Sequence, residues 1–196
     1  ATTILVGGVD ELGEHTTRIH KLAHHVKEYT ENSLKILQSN TKGAIFSEGA
    51  NFFVLSTEKQ EDSYAEVCTI EIYNTLPKSD LTDTVLTFLQ ENDIALEELD
   101  LVVMGNNGDV EYDGFYNTLS EGPFKDIPQA YYKHLCGEFN TASAFGVWLA
   151  SKILRAGVVP EIVKLTNKPI SKPKSVLLYN QYRGENHSLV LLRACL

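Results

Sequence analysis

The chain has 196 residues, 43% of them apolar, which is enough to build the core of one compact α/β domain. Its net charge of −9 disfavours non-specific nucleic-acid binding, which depends on Lys and Arg neutralising phosphates. The sequence predicts no membrane span and no signal peptide. Three cysteines without a Cys-x-x-Cys spacing predict neither a disulfide framework nor a zinc site, so the cytoplasm is the expected compartment.

The first part of the chain predicts strands around one long helix. Residues 4–6 are predicted to form a buried strand with too few neighbours, and such an edge recruits another chain. Apolar residues at helical spacing predict a helix over residues 16–38. Residues 43–55 form a β-rich stretch with a bend, and residues 64–73 alternate with the period of two of a strand.

The second part of the chain alternates helices with strands. A helix is expected to begin near Leu81, and Gly157 and Pro160 are expected to end another one. The predicted order is helix, strand, helix, helix, strand and strand, over residues 81–89, 99–104, 113–119, 142–154, 175–180 and 188–194. This order favours an α/β sheet with an antiparallel pair at its end.

Five short motifs follow one another along the chain. They are Val6-Gly7-Gly8-Val9-Asp10-Glu11, Ser47-Glu48-Gly49-Ala50, residues 96–104, residues 133–144, and Tyr179-Asn180 with residues 184–189. Together they resemble the C-terminal half of β-ketoacyl synthases, the condensing enzymes of the thiolase fold. The resemblance implies one domain over residues 1–196, with a mixed sheet covered by helices, as half of a layered α-β-α-β-α sandwich. It also implies that the nucleophile-bearing N-terminal half is absent from this chain.

The catalytic positions implied by the resemblance carry the wrong residues. The family's Cys nucleophile would precede residue 1, and its two His positions fall at Gly105 and Glu138. Lys133 matches the family's Lys. Glycine has no side chain that could donate a hydrogen bond. An ionised Glu138 would repel the negative charge that develops on an enolate or oxyanion, unless burial kept Glu138 protonated. No residue of the chain is therefore predicted to be catalytic.

The resemblance also implies substrate-facing positions at Asn106, Asn107, Phe145 and Tyr182. Tyr182 falls where the family has a gating Phe, in a shorter loop. From the residues alone, Lys133 either reaches solvent or pairs with Glu138 or Asp113. Glu138 either belongs to the site or caps the following helix.

The remaining candidate residues favour structural roles. Cys136 is expected to be a buried small side chain rather than a nucleophile. Residues 105–109 lack the residues of a phosphate or Ca²⁺ loop and predict a turn. His20 and His24 share the face of the predicted helix but lack further ligands, so no metal or other cofactor is predicted.

The resemblance implies a non-catalytic subunit similar to a chain-length factor, acting in fatty-acid, polyketide or aryl-polyene-type biosynthesis. Its expected partners are an active ketosynthase subunit, or itself as a dimer, and an acyl carrier protein. Two alternatives remain. One is an active 3-oxoacyl synthase whose Cys lies in the other half, with Glu138 and the Asn106–Asn107 pair replacing the His residues. The other is a scaffold that retains only the fold.

Overall fold

The computed structural model describes residues 2–28 and 32–195. The strands are β1 Thr3–Asp10, β2 Gly49–Ser56, β3 Ala65–Thr75, β4 Leu101–Met104, β5 Gln129–Tyr131, β6 Ser175–Tyr182 and β7 Glu185–Ala194. The α-helices are α1 Glu14–Leu22, α2 Leu81–Glu91, α3 Gly114–Glu121, α4 Lys133–Cys136 and α5 Ala142–Ala156. Short 3₁₀ segments cover Ser33–Gln38, Leu96–Glu98 and Glu161–Val163. No helix of these described residues is both long and apolar enough to span a membrane.

Five strands form one mixed sheet in the order β3-β7-β6-β4-β5. Strands β6, β4 and β5 run parallel to one another, whereas β7 is antiparallel to both β6 and β3. The predicted mixed sheet and its final antiparallel pair are therefore confirmed. Every residue of β4 is buried, because helices cover both faces of the sheet and leave no polar side to the strand.

Alternate residues of β4 contribute to two separate cores. Val102 and Met104 pack with α2 and α3 on one face, and Leu101 and Val103 pack with α5 on the other. Helix α5 ends at Gly157, whose φ of 67° is left-handed, as the sequence predicts. A helix therefore lies on each side of the central strands, in the layered arrangement expected from the resemblance.

Strands β1 and β2 form a separate antiparallel ribbon, which contacts α5 through β2. One face of this ribbon carries Leu5, Val9, Phe52 and Val54, which are between 60% and 71% exposed. The prediction of a buried strand at residues 4–6 is therefore wrong for this chain. The strand has an antiparallel neighbour, but no described residues cover this face.

The prediction of one helix over residues 16–38 is also wrong. Helix α1 ends at Leu22, and His24 has a left-handed φ of 56°. The chain then pairs with Ala44, whose N–H donates to His25 O and whose carbonyl accepts from Lys27 N. This tertiary pairing overrides the apolar spacing, and it removes His20 and His24 from a shared helix face. Residues 29–31 of the predicted helix lie outside the described ranges.

Candidate functional site

The candidate site lies where the parallel strands β4 and β5 reach their carboxyl ends. There the loop after β4 meets α4, the turn at Gly137 and Glu138, and the β6–β7 hairpin. Residues that follow neighbouring parallel strands converge at one edge of a sheet, and this edge is where α/β folds place their ligands. Gly105 N–H donates to Tyr179 O and ties the loop to β6.

A buried ion pair occupies the centre of the site. Lys133 Nζ lies 2.8 and 2.7 Å from the two carboxylate oxygens of Glu138. Asn107 Nδ2 also donates to Glu138 Oε2, at 2.7 Å. Lys133 and Glu138 are only 1% and 3% exposed. Glu138 is thus the partner that Lys133 takes, and the suggested capping role of Glu138 is wrong, since α5 begins at Ala142.

The turn that presents Glu138 requires glycine at position 137. Gly137 has a φ of 70°, and a Cβ there would lie 2.5 Å from Ser47 Oγ. Glu138 N–H donates to Ile45 O at 2.8 Å, and Glu138 O accepts from Ser47 N at 3.0 Å. The Ser47 hydroxyl also donates to Cys136 O. The second and fourth sequence motifs therefore pair with each other, and this pairing fixes the direction of the Glu138 side chain.

Gly105, where the resemblance implies the other His, has no room for a side chain. A Cβ on Gly105 would lie 2.4 Å from Asn180 Oδ1 and 2.9 Å from the Tyr116 hydroxyl. Asn180 Oδ1 accepts a hydrogen bond from Tyr132 at 3.1 Å. Tyr116 accepts from Gln181 N at 3.0 Å. The space next to the Gly105 Cα is thus filled by buried polar groups that have partners of their own.

Asp113 holds the loop that carries Asn107. Its carboxylate accepts hydrogen bonds from Asn107 N at 3.3 Å and Gly108 N at 2.9 Å. Burial raises the pKa of Asp113 to about 6, against the opposing effect of these two backbone donors. Asn106, in the same loop, is also buried, and its Oδ1 has no hydrogen-bond partner among the described residues.

Sequence reasoning missed Lys27, which supports the same loop. The Lys27 Nζ donates to Gly108 O at 2.7 Å and to Thr41 O at 2.8 Å, and the residue is only 8% exposed. Burial lowers the pKa of Lys27, with Asp109 and Asp113 opposing that effect. On the predicted helix Lys27 would have been an ordinary surface lysine, so the sequence contained no signal for this role.

The β6–β7 hairpin carries Tyr182, which the resemblance matches to a gating Phe. Arg183 and Gly184 form its turn with φ of 55° and 72°, between the paired residues Tyr182 and Glu185. Two left-handed residues between paired strands are typical of the tight hairpin turns that match strand twist. The Arg183 guanidinium lies 4.7 Å from the centre of the Tyr112 ring. The turn therefore has only two residues, and Arg183 is held against Tyr112.

A pocket of about 270 Å³ opens beside the ion pair. It is lined by both polar and apolar groups, from Ile72, Glu138, Phe139, Asn140, Ser143, Asn180, Tyr182, Asn186 and Ser188. Of the four predicted substrate-facing residues, only Tyr182 lines it. Asn107 is bound to Glu138, and Phe145 stacks near Trp148 with ring centroids 5.2 Å apart. A larger cleft of about 1160 Å³ has Arg183 on its wall but neither Lys133 nor Glu138.

Cys136 lies next to the ion pair in a form that does not favour reaction. Burial raises the pKa of its thiol to about 12, although Lys133 opposes the effect. The neighbouring His134 donates from Nε2 to Ile162 O at 2.8 Å and stacks on Tyr131. A protonated thiol is a poor nucleophile, so Cys136 fits the structural role predicted for it.

Solved structures with a similar fold include ketosynthases. A complex described as a type II acyl-carrier protein with its ketosynthase bound to the hexaketide, AntDE:AntF, gives a TM-score of 0.80 at 16% identity, covering 99% of this chain and 56% of that chain. The ishigamide ketosynthase/chain length factor matches with a TM-score of 0.74 at 15% identity. The match covers 98% of this chain and 54% of that chain. The ketosynthase ApeO with its chain length factor ApeC from Xenorhabdus doucetiae matches with a TM-score of 0.77 at 14% identity. The match covers 99% of this chain and 53% of that chain.

These similarities show the fold. The chain has the thiolase-like fold of the ketosynthases, as the resemblance implied, and it spans about half the length of these neighbours. No protein-family model and no curated protein matches the chain.

Proposed function

We propose that this chain is the C-terminal half of a non-catalytic ketosynthase-like subunit that pairs with an active ketosynthase, in the manner of a chain-length factor. One observation carries the proposal. At the two positions where the resemblance expects His, the chain has a glycine without side-chain space and a glutamate neutralised by a buried lysine. Neither position offers the neutral imidazole that could donate to a developing enolate and relay a proton.

The proposed contribution of this subunit is to shape the space for the growing chain. The reaction of the complex would be acyl transfer to a Cys of the partner, followed by decarboxylative condensation with a malonyl thioester. In this proposal the acyl group is delivered by an acyl carrier protein, and the pathway makes a fatty acid, polyketide or aryl polyene. The pocket beside Tyr182 and Ser143 is the candidate part of that space.

We further propose that the exposed ribbon is covered by the nucleophile-bearing half of the thiolase-like fold. Both faces of the β1–β2 ribbon carry large apolar side chains, and Ile4 on the other face is also 58% exposed. A sheet that is apolar on both faces fits an inner layer. The cytoplasm is the compartment we propose, because Cys68, Cys136 and Cys195 are all unpaired.

The test combines decarboxylation with product length. The protein should not decarboxylate malonyl-carrier protein by itself, and a complex with an active ketosynthase should lose activity when the partner's nucleophile is replaced. Ser143→Phe, which fills the pocket, should shorten the product of the complex. Lys152→Phe, on the exposed part of the same helix, is the matched control and should not.

Two outcomes would favour the alternatives. Decarboxylation without a partner would support an active synthase in which Glu138 and the Asn106–Asn107 pair stand in for His. Failure to bind any ketosynthase, together with unchanged products in the Ser143→Phe variant, would support a scaffold.

A further inference from the structure

Two histidine rings face each other at the end of α1. His20 lies in the last turn of α1, and His25 follows the turn that ends the helix. Their Nδ1 atoms are 3.1 Å apart. Both residues are half-buried, whereas His24 between them is exposed. The reversal of the backbone at His24, and not helical spacing, therefore creates the pair.

Backbone and ring contacts hold both histidines in this arrangement. His25 N–H donates to His20 O at 2.9 Å, and His25 O accepts from Ala44 N at 2.8 Å. The ring of Phe46 lies against His20, with the ring centroids 4.5 Å apart. The two Nδ1 atoms form a hydrogen bond in which one ring donates and the other accepts, and a metal ion would take the place of the shared proton.

The separation of the two nitrogens fits a shared metal ion. With metal–nitrogen bonds of about 2.0–2.1 Å, two ligand nitrogens lie about 2.9 Å apart at a right angle and about 3.3 Å apart at the tetrahedral angle. The observed 3.1 Å falls between these values.

We propose that His20 and His25 bind one divalent transition-metal ion through their Nδ1 atoms, with water completing its coordination. No cluster of three or more His, Cys, Asp or Glu side chains suited to a metal occurs in residues 2–28 and 32–195, so the protein supplies two imidazoles. Imidazole ligands suit copper, nickel and zinc, and Cu²⁺ binds nitrogen sites most tightly among them. The ion would join the end of α1 to the segment that leads into Lys27.

Copper titration of the full chain tests this site. Calorimetry should detect one equivalent of Cu²⁺, and the electron paramagnetic resonance spectrum should show coupling to two imidazole nitrogens. His20→Gln and His25→Gln should each weaken binding at least tenfold. His24→Gln is the matched control, since it removes an exposed histidine between the two. Its affinity for Cu²⁺ should equal that of the protein without substitutions.

Three results would overturn the proposal. They are a spectrum with fewer than two coupled nitrogens, unchanged affinity in both the His20→Gln and His25→Gln variants, or an equal loss in the His24→Gln control. The spectrum of the unchanged protein decides the question even if a variant fails to fold. Circular dichroism of each variant separates loss of the ligand from loss of the fold.

Discussion

The candidate site and the β1–β2 ribbon differ in how completely the chain satisfies its own groups. In the site, Lys133 and Glu138 neutralise each other and are almost fully buried. In the ribbon, Leu5 and Val54 face outward without cover from the described residues. The ion pair is thus satisfied within the chain, whereas the exposed apolar face of the ribbon is of the kind that marks a surface for association.

Breaking the ion pair should have the largest effect. Lys133→Met leaves the Glu138 charge buried without its cation, which is expected to lower the free energy of unfolding by about 3–5 kcal/mol. The double variant Lys133→Met/Glu138→Leu removes both charges and should recover most of that loss. Urea denaturation measures both values.

The matched control for this prediction is an exposed ion pair. Lys164 and Glu161 are 2.6 Å apart, with Glu161 79% exposed. Lys164→Met should change the free energy of unfolding by less than about 1 kcal/mol. Equal losses in the Lys133→Met and Lys164→Met variants would show that the site is not the closed, neutral unit described above.

Filling the space at Gly105 should have the next largest effect. Gly105→His forces a ring into a position where a Cβ alone would contact Asn180 and Tyr116, so we expect a loss of about 3 kcal/mol. Gly13→His is the control, because the nearest atom to its Cβ is 3.9 Å away. Thermal denaturation compares the two. A Gly105→His variant as stable as the control would mean that the site can still admit a histidine.

The pH dependence of stability should reveal the buried carboxyl of the site loop. The pKa of Asp113 is raised from 3.8 to about 6 in the folded protein. The folded state therefore binds more protons than the unfolded state between these values, and the stability that Asp113 contributes falls as pH rises from 4 to 6. The difference should be on the order of 2 kcal/mol relative to Asp113→Asn. Unfolding curves at pH 4, 5, 6 and 7 measure it, and parallel pH profiles of the two proteins would contradict it.

Changing the ribbon should affect stability least and association most. Leu5 and Val54 are cross-strand partners on the open face, so Leu5→Thr/Val54→Thr should alter the free energy of unfolding by only about 0.5 kcal/mol. It should reduce binding of a hydrophobic dye and concentration-dependent self-association measured by light scattering. Ile19→Thr, equally exposed on α1, is the control. If the protein without substitutions neither binds the dye nor self-associates, the apolar face of the ribbon is not exposed.

The sequence predicted those parts of the fold that depend on local pattern and failed where distant contacts decide. Helix α5 and its end at Gly157 follow from apolar spacing and from a glycine in the left-handed region. The helix over residues 16–38 was wrong, because pairing with Ala44 is invisible to periodicity. Lys27 could not be found, since its acceptor on Gly108 lies 81 positions along the chain.

The site could be located from the sequence but not fully described by it. Motif order placed Lys133 and Glu138 together, and their spacing allowed the ion pair that the structure contains. It did not show that Phe145 packs against Trp148 instead of lining the pocket. It also did not show that the position of Gly105 is filled from β6, which depends on how β4 and β6 align.

The packing around Gly105 limits how this protein can evolve. Introducing a side chain there first requires Asn180 to be replaced, and that change deprives the Tyr132 hydroxyl of its acceptor. The preparatory change thus carries a cost before any benefit appears. A larger residue at position 105 therefore needs several substitutions in a fixed order, and the close packing favours keeping glycine there.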